Sequence, residues 1–271
     1  MTPPAASVRG LATLLLAGVA GWAAAAESSA ARTAGPPATG RASFDRPDGP
    51  YTSDDFRHDF GVFSADNTLT RIVGRSLEVT FPKGQKIEGL RGGRVPVKPT
   101  RILNLEYRVR YPRDFEAGLH GKQFGLAGGA GYTGGAGKEC AKNGDGWSVR
   151  VQFDAHDRDI TNQLYVYHRR MTGDYGEDAG SGRQHFSLQR GRWHTIRLRV
   201  AMQSRADASD GAIDVWQDGM RRITVEGVQF VSQPSGCQVD EVMLEAFCGG
   251  AGIEPSHDNR VAFDDVRWWP E

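Results

Sequence analysis

Short stretches in which apolar and polar residues alternate recur along most of this chain, and they restrict its fold more than any other feature. Alternation with a period of two places successive side chains on opposite faces, as a half-buried β-strand requires. Gly, Asp, Asn and Pro separate the stretches, and no segment sustains a 3.6-residue period. The predicted strands are 76–82, 101–112, 147–153, 163–170, 193–203, 211–224, 241–250 and 263–269.

So many short strands favour a sandwich or barrel. The pair Asp218-Gly219 is typical of a tight hairpin turn, and the last strand is expected to close the domain beside the first. The pattern suits a concanavalin-like β-jelly roll, an all-β sandwich in which one concave sheet forms a substrate cleft. Helices are expected to be few and short.

The N-terminal residues are predicted to lie outside the folded domain. Residues 1–26 contain one arginine, an apolar run and an Ala-x-Ala site, which indicate a secretory signal peptide, with a weak membrane anchor as the alternative. Residues 27–50 are rich in Ala, Gly, Pro and Ser, as a disordered linker would be. The domain would then span 51–271, and the protein is expected to be secreted or periplasmic.

The net charge of the chain limits the classes of ligand that it is expected to bind. The 33 Lys and Arg residues balance 33 Asp and Glu, so the composition does not favour nucleic acid or a membrane surface as a partner. Residues 101–200 hold 16 basic against 11 acidic residues, which suits an anionic ligand or an ordinary solvated surface.

Export would allow one disulfide among Cys140, Cys237 and Cys248, and Cys237 with Cys248 is one possible pair. Their spacing matches no zinc site.

Two neighbouring predicted strands contain an unusual set of polar side chains. Ser148 and Arg150 share one face of the first strand, and Tyr165 and Tyr167 share one face of the second. Lys122 precedes them in a Gly-rich segment where backbone and ligand can approach closely. Each residue alone has an ordinary interpretation as packing or solvated surface. Their combination instead indicates a site for an anionic ligand.

One reaction in particular requires this combination of groups. Polysaccharides of uronic acids are cut by β-elimination when the C6 carboxylate is neutralised, a base removes the C5 proton and an acid protonates O4. Arg or Lys supplies the neutralising charge, and Tyr can serve as base and acid when cations depress its pKa. Neither a metal nor another cofactor is expected, because side chains provide the cation.

The same residues resemble polysaccharide lyase family 14, which comprises alginate and glucuronan lyases. The motifs "HGKQFGLAGG", "SVR", "YVY" and "FCGGAGIEPSHDNRVAFDDV" follow in the family's order between about residue 70 and residue 269. The chain departs from the family in "KQFG", where "KLPG" is usual, and in "VQF", where "MWR" is common. The resemblance implies a β-jelly roll with an open cleft on its concave sheet.

The resemblance also implies roles for individual residues. Lys122, Arg150 and Ser148 would bind and neutralise the uronate. Tyr165 and Tyr167 would carry the proton transfers. His168, next to the tyrosine strand, is a further candidate for substrate binding, with a surface histidine as the ordinary alternative.

The sequence therefore predicts a polyuronate lyase acting on an anionic polysaccharide, with alginate as the first candidate substrate and glucuronan as the second. Two alternatives stay open at this point. A non-catalytic, LamG-like carbohydrate-binding sandwich would need only aromatic residues and a groove. A glycoside hydrolase would need two facing carboxylates, and Glu241 and Glu245 are the nearest pair.

Overall fold

The computed structural model describes residues 36–61, 65–129, 138–178, 184–234, 238–250 and 253–271, with only the backbone of 138–140. The predicted signal peptide and the first part of the predicted linker lie outside these residues. Within the described ranges, no helix is both long enough and apolar enough to cross a membrane.

Strands dominate the described chain. The two helices are α1 (Ser53–Phe60) and α2 (Lys138–Asn143). The strands are β1 (Gly40–Ala42), β2 (Gly49–Pro50), β3 (Thr70–Val73), β4 (Ser76–Phe81), β5 (Glu88–Leu90), β6 (Arg94–Thr100), β7 (Ile102–Arg110), β8 (His120–Gly129), β9 (Gly146–Ala155), β10 (Asp159–Tyr167), β11 (Phe186–Gln189), β12 (His194–Ala201), β13 (Gly211–Gln217), β14 (Met220–Val228), β15 (Val239–Met243), β16 (Ala246–Cys248) and β17 (Asn259–Pro270).

The strands form two antiparallel sheets, which confirms the all-β prediction. One sheet has the order β14-β13-β12-β7-β17-β4-β3-β2, with β1 added beside β17. The other has the order β11-β10-β9-β8-β15-β6, and the short β16 pairs with both β8 and β5. Asp218 and Gly219 both have positive φ at the β13–β14 turn, as the hairpin prediction requires. The last strand, β17, pairs with β4, the first strand that the sequence analysis predicted.

Aromatic side chains fill the space between the two sheets. Phe81 of β4 stacks on Phe153 of β9 with ring centroids 6.0 Å apart. Phe124 of β8 stacks on Phe263 of β17 at 4.3 Å. All four rings are fully buried, and each contributes about 1.5–3 kcal/mol relative to exposure. Because Phe153 points into this core, its neighbours at odd spacing on β9 point to the opposite, outer face of the sheet.

Residues 40–50 pair with the sheet or pack on it, rather than forming part of the disordered linker that their composition predicted. β1 runs antiparallel to β17, and a side chain at Gly40 would collide with the ring of Trp268 at 2.0 Å. Arg46 forms an ion pair with Asp59 of α1 at 2.5 Å. Strands of two or three residues are too short to show alternation, so composition alone could not reveal them.

One of the possible cysteine pairs is excluded. Cys248 is a free, buried thiol in β16, so the possible disulfide with Cys237 is not formed; Cys237 itself lies outside the described residues. Burial is the main reason that the pKa of Cys248 rises to about 12.

Candidate functional site

Two adjacent strands of the eight-stranded sheet bring four of the predicted residues together. In the β9–β10 register, Arg150 lies opposite Tyr165 and Ser148 lies opposite Tyr167. Residues directly opposite each other in an antiparallel pair share a face. All four side chains therefore lie on the outer face of the sheet, as the two-residue period predicted. Ser148 is fully buried there.

A β-bulge on β8 places Lys122 on the same face. The register between β8 and β9 shifts between Lys122 and Gly125. The two residues within the bulge both point into the core, where Gln123 accepts a 3.0 Å hydrogen bond from the hydroxyl of Tyr107 and Phe124 packs against the same ring. Lys122 and Gly125 consequently share the outer face although they are three residues apart.

The amine of Lys122 has an unusual environment. Its Nζ lies 3.8 Å from the ring centroid of Tyr165, a cation–π contact, and donates a 2.7 Å hydrogen bond to Oε1 of Gln152. Burial, and secondly the charge of Arg150, lower the pKa of Lys122 to about 7, and Asp154 opposes this shift. A substantial fraction of the amine is therefore unprotonated near neutral pH.

Arg150 is buried beside a partner that the sequence analysis did not assign to it. Its guanidinium carbon lies 5.4 Å from the ring centroid of Tyr165, and its Nη1 lies 3.0 Å from Oε2 of Glu245. The two side chains are only 3% and 1% exposed. Gly125 makes room for the arginine, because a Cβ there would lie 2.6 Å from its Cγ. The backbone N–H of Gly92 donates a 3.2 Å hydrogen bond to Oε1 of Glu245.

The two tyrosines differ in burial. Their rings lie 5.6 Å apart in an edge-to-face arrangement. Tyr167 is 1% exposed and packs with Ala141 and Met171, whereas Tyr165 is half-buried. Burial, and secondly a hydrogen bond to Tyr165, raise the pKa of Tyr167 above its ordinary value, so its phenol stays protonated.

The loop after β10 covers one side of Tyr165. A side chain at Gly176 would lie 2.6 Å from a ring carbon of Tyr165, so the loop backbone rests directly on that ring. Glu177 pairs with β10 through its backbone, and its Oε1 lies 3.1 Å from Nε2 of His168. Burial lowers the pKa of His168, and Glu177 opposes this. His168 is a predicted substrate-binding residue. In the structure it contacts Glu177 and so anchors the loop after β10.

The two glutamates considered for a hydrolase are each bound to an arginine. Glu241 on β15 accepts a 2.6 Å hydrogen bond from Nε of Arg94. Glu245 is paired with Arg150. A glycoside hydrolase needs one carboxylic acid and one carboxylate facing its substrate. Two carboxylates held by separate buried or half-buried arginines do not form such a pair.

The described parts of the chain contain no group of three or more His, Cys, Asp or Glu side chains placed to hold a metal ion.

Sequence analysis missed Gln152, and it considered Glu245 only as a hydrolase carboxylate and not as the partner of Arg150. Gln152 could have been found from the same two-residue period that identified Ser148 and Arg150, because it is the next residue on that face. The pairing of Glu245 with Arg150 could not have been found in this way, because Glu245 lies in the break between β15 and β16 and not in the continuous strand that was predicted.

The family model for polysaccharide lyase 14 matches residues 97–266. No curated protein matched the chain.

Several solved structures share the fold. The alginate lyase Aly36B superposes with a TM-score of 0.76 at 21% identity, over 86% of this chain and 97% of that one. The alginate lyase vAL-1 from Chlorella virus gives 0.63 at 14% identity, over 81% and 96%. The PL-14 alginate lyase from Aplysia kurodai gives 0.61 at 18% identity, over 85% and 98%. These similarities confirm the predicted β-jelly roll.

Proposed function

Because the chain belongs to the polysaccharide lyase 14 family, we propose that it cleaves 1,4-linked uronic acid polysaccharides by β-elimination, outside the cytoplasm and without a metal ion. The observation that carries this proposal is the meeting of Lys122, Arg150 and Tyr165 on one sheet face, with the amine 3.8 Å from the phenol ring centroid. Alginate is the first candidate substrate, since the three similar structures are alginate lyases. Glucuronan is the second.

Lys122 is the base in this proposal. A base must be unprotonated to remove the C5 proton, and the lowered pKa of Lys122, about 7, provides an unprotonated amine at neutral pH. The sequence analysis instead gave Lys122 the task of neutralising the carboxylate. A neutral amine performs that task poorly, so neutralisation, which the resemblance gave to Lys122 and Arg150 together, is left to Arg150.

Tyr165 is the acid. It is the more exposed of the two phenols, and it lies beside Lys122. Tyr167, with its raised pKa, keeps its proton and holds the Tyr165 hydroxyl by a hydrogen bond. Tyr167 therefore acts through Tyr165 rather than on the sugar.

Arg150 attracts the C6 carboxylate, and this withdrawal of electron density makes the C5 proton more acidic. Ser148 adjoins it one position along the same strand face. The amine of Lys122 then takes the C5 proton, the C5–H electron pair forms the C4=C5 double bond, and the C4–O4 bond breaks. Tyr165 gives its proton to the departing O4. Proton exchange with solvent restores both groups.

The test is ultraviolet absorbance of the purified protein with alginate and, separately, with glucuronan. β-Elimination creates a conjugated double bond that absorbs, whereas hydrolysis creates new reducing ends without one. We expect absorbance to rise with the native protein and to be lost in Lys122→Met and Tyr165→Phe. Lys83→Met removes an exposed lysine away from the site and is the matched control.

Two results would contradict the proposal. New reducing ends without absorbance would mean hydrolysis. Binding of both polymers without any product would mean that the sandwich is a carbohydrate-binding module.

A further inference from the structure

Arg150, which is paired with the buried Glu245, shares the ring of Tyr165 with the amine of Lys122. Glu245 stands in the break between β15 and β16, and both of these strands pair with β8, the strand of Lys122. The break is held closely: the backbone N–H of Leu244 donates a 2.6 Å hydrogen bond to the carbonyl of Gly93. A side chain at Gly93 would lie 2.2 Å from the carbonyl oxygen of Leu244, so only glycine allows this approach. Glu245 thus has a fixed backbone and a fixed carboxylate.

Charged and titratable groups approach Lys122 from each neighbouring strand. Arg150 disfavours a proton on the amine, whereas Asp154 favours one. On β15, the carboxylate of Glu241 is already bound to Arg94. On β16, the residue opposite Lys122 is an uncharged phenylalanine. Among the described residues, the phenol of Tyr165 on β10 also contacts the amine, whereas the thiol of Cys248 on β16 belongs to the core between the sheets.

Among the described residues, Glu245 is a carboxylate paired with Arg150, and Arg150 contacts the same Tyr165 ring as Lys122 and disfavours a proton on its amine. We infer that Glu245 is a positioning residue, which fixes the guanidinium of Arg150 and offsets the positive charge that Arg150 places beside Lys122. The inference deepens the proposed function, on which it rests for the roles of Lys122 and Arg150. Without this offset, the amine would hold its proton more weakly and would be a poorer base.

The charge offset can be measured without turnover. Lysine labelled with ¹³C at Cε reports the protonation of each amine by NMR, and the Lys122 signal is assigned by its absence in Lys122→Arg. Glu245→Gln keeps the size of the side chain but removes its charge. We expect the titration midpoint of Lys122 to fall by about one pH unit in this variant.

The matched control is Glu241→Gln. This substitution removes a similarly buried, arginine-bound carboxylate on the same sheet that does not contact Arg150. We expect the Lys122 midpoint to stay at its native value in Glu241→Gln. A folded Glu245→Gln variant with the native midpoint, or an equal displacement in both variants, would overturn the inference.

The positioning role is measured by activity. In Glu245→Gln the rise of kcat/KM with pH should move to lower pH together with the NMR midpoint, and kcat should fall. Glu245→Asp retains the charge but withdraws the carboxylate from Arg150. We therefore expect a native midpoint with a kcat reduced at least about tenfold. Full activity in Glu245→Asp would contradict the positioning role.

Two further outcomes are distinguishable. If Glu245→Gln does not fold, Glu245→Ser removes the charge with a smaller side chain and its Lys122 midpoint decides the offset, whereas the kcat of Glu245→Asp decides the positioning role. If the native protein releases no unsaturated product from any polyuronate, the proposed function fails, whereas the NMR titration still decides whether Glu245 offsets the charge of Arg150.

Discussion

Lys122 lies over the ring of Tyr165 at 3.8 Å and donates its hydrogen bond to a neutral amide, that of Gln152. Neither contact offers the full negative charge that would hold a proton on a buried amine. The proposed base and the proposed acid are also immediate neighbours. Both relationships lead to measurable consequences.

The first concerns pH. Lys122 has a pKa of about 7 and must be unprotonated to act, so kcat/KM should rise as the pH increases through about 7. Lys122→Met should lose this dependence together with about 100-fold or more of the activity. Initial rates of absorbance increase across a pH series measure both. A native profile that is flat through neutral pH would exclude Lys122 as the base.

The second concerns stereochemistry. A base and an acid in contact reach a sugar ring from the same side, so the C5 proton and O4 must leave from one face. Mannuronate and glucuronate present these two groups on the same face, whereas guluronate, the C5 epimer of mannuronate, does not. We therefore expect faster cleavage of mannuronate blocks and glucuronan than of guluronate blocks. Rates on the separated polymers test this, and a preference for guluronate would contradict the same-side arrangement.

The third separates the two tyrosines. Tyr165→Phe removes the proposed acid and should reduce kcat by about 100-fold or more. Tyr167→Phe removes a hydroxyl that acts only through Tyr165, so we expect roughly a tenfold loss. It should also cost about 1 kcal/mol of stability, because that phenol is buried and hydrogen-bonded. Kinetics and chemical denaturation of both variants decide, and a reversed order of kcat would exchange the two roles.

The fourth concerns His168, whose folded pKa lies below the ordinary value of 6.5. The unfolded chain then binds a proton more readily than the folded one, so this contribution to stability is present above 6.5 and is lost as the pH falls below it. His168→Gln does not titrate. The free energy of unfolding of His168→Gln should therefore fall less than that of the native protein between about pH 7 and pH 5.

Glu177→Gln is the control for the comparison of the native protein with His168→Gln. It removes the carboxylate that contacts His168 and leaves the histidine able to titrate. If the free energy of unfolding fell equally with pH in the native protein and in His168→Gln, the burial of a neutral His168 against Glu177 would not stabilise the loop.

The fifth concerns metal ions. Because Arg150 neutralises the carboxylate in the proposed reaction, treatment with a chelator should leave kcat unchanged, and added Ca²⁺, Mg²⁺ or Mn²⁺ should not raise it. Parallel rate measurements before and after dialysis against EDTA test this. Loss of activity that one of these cations restores would replace the side-chain cation by a metal.

Much of this site follows from one property of strands. The two-residue period placed Ser148 with Arg150 and Tyr165 with Tyr167, and the hairpin between the two strands then set them side by side. The same property predicted most of the longer strands. It failed for β8, because the Gly-rich sequence shows no alternation and the bulge at Gln123 interrupts the period.

The two-residue period does not predict which side chains from distant parts of the chain come into contact. The Arg150–Glu245 pair joins residues 95 positions apart, through a break between strands. The lowered pKa of Lys122 arises from burial and a neighbouring cation, which no local pattern records. For that reason the family resemblance implied charge neutralisation for Lys122, whereas the proposed function gives it the proton transfer.

Gly125 and Gly176 supply no functional group, yet Arg150 and Tyr165 occupy the volume that side chains at these positions would need. A homologue could therefore retain every reacting residue and still be inactive, if an alanine at the first position displaced the arginine. When relatives are sorted into active and inactive members, these two glycines are as informative as the lysine, the arginine and the tyrosines.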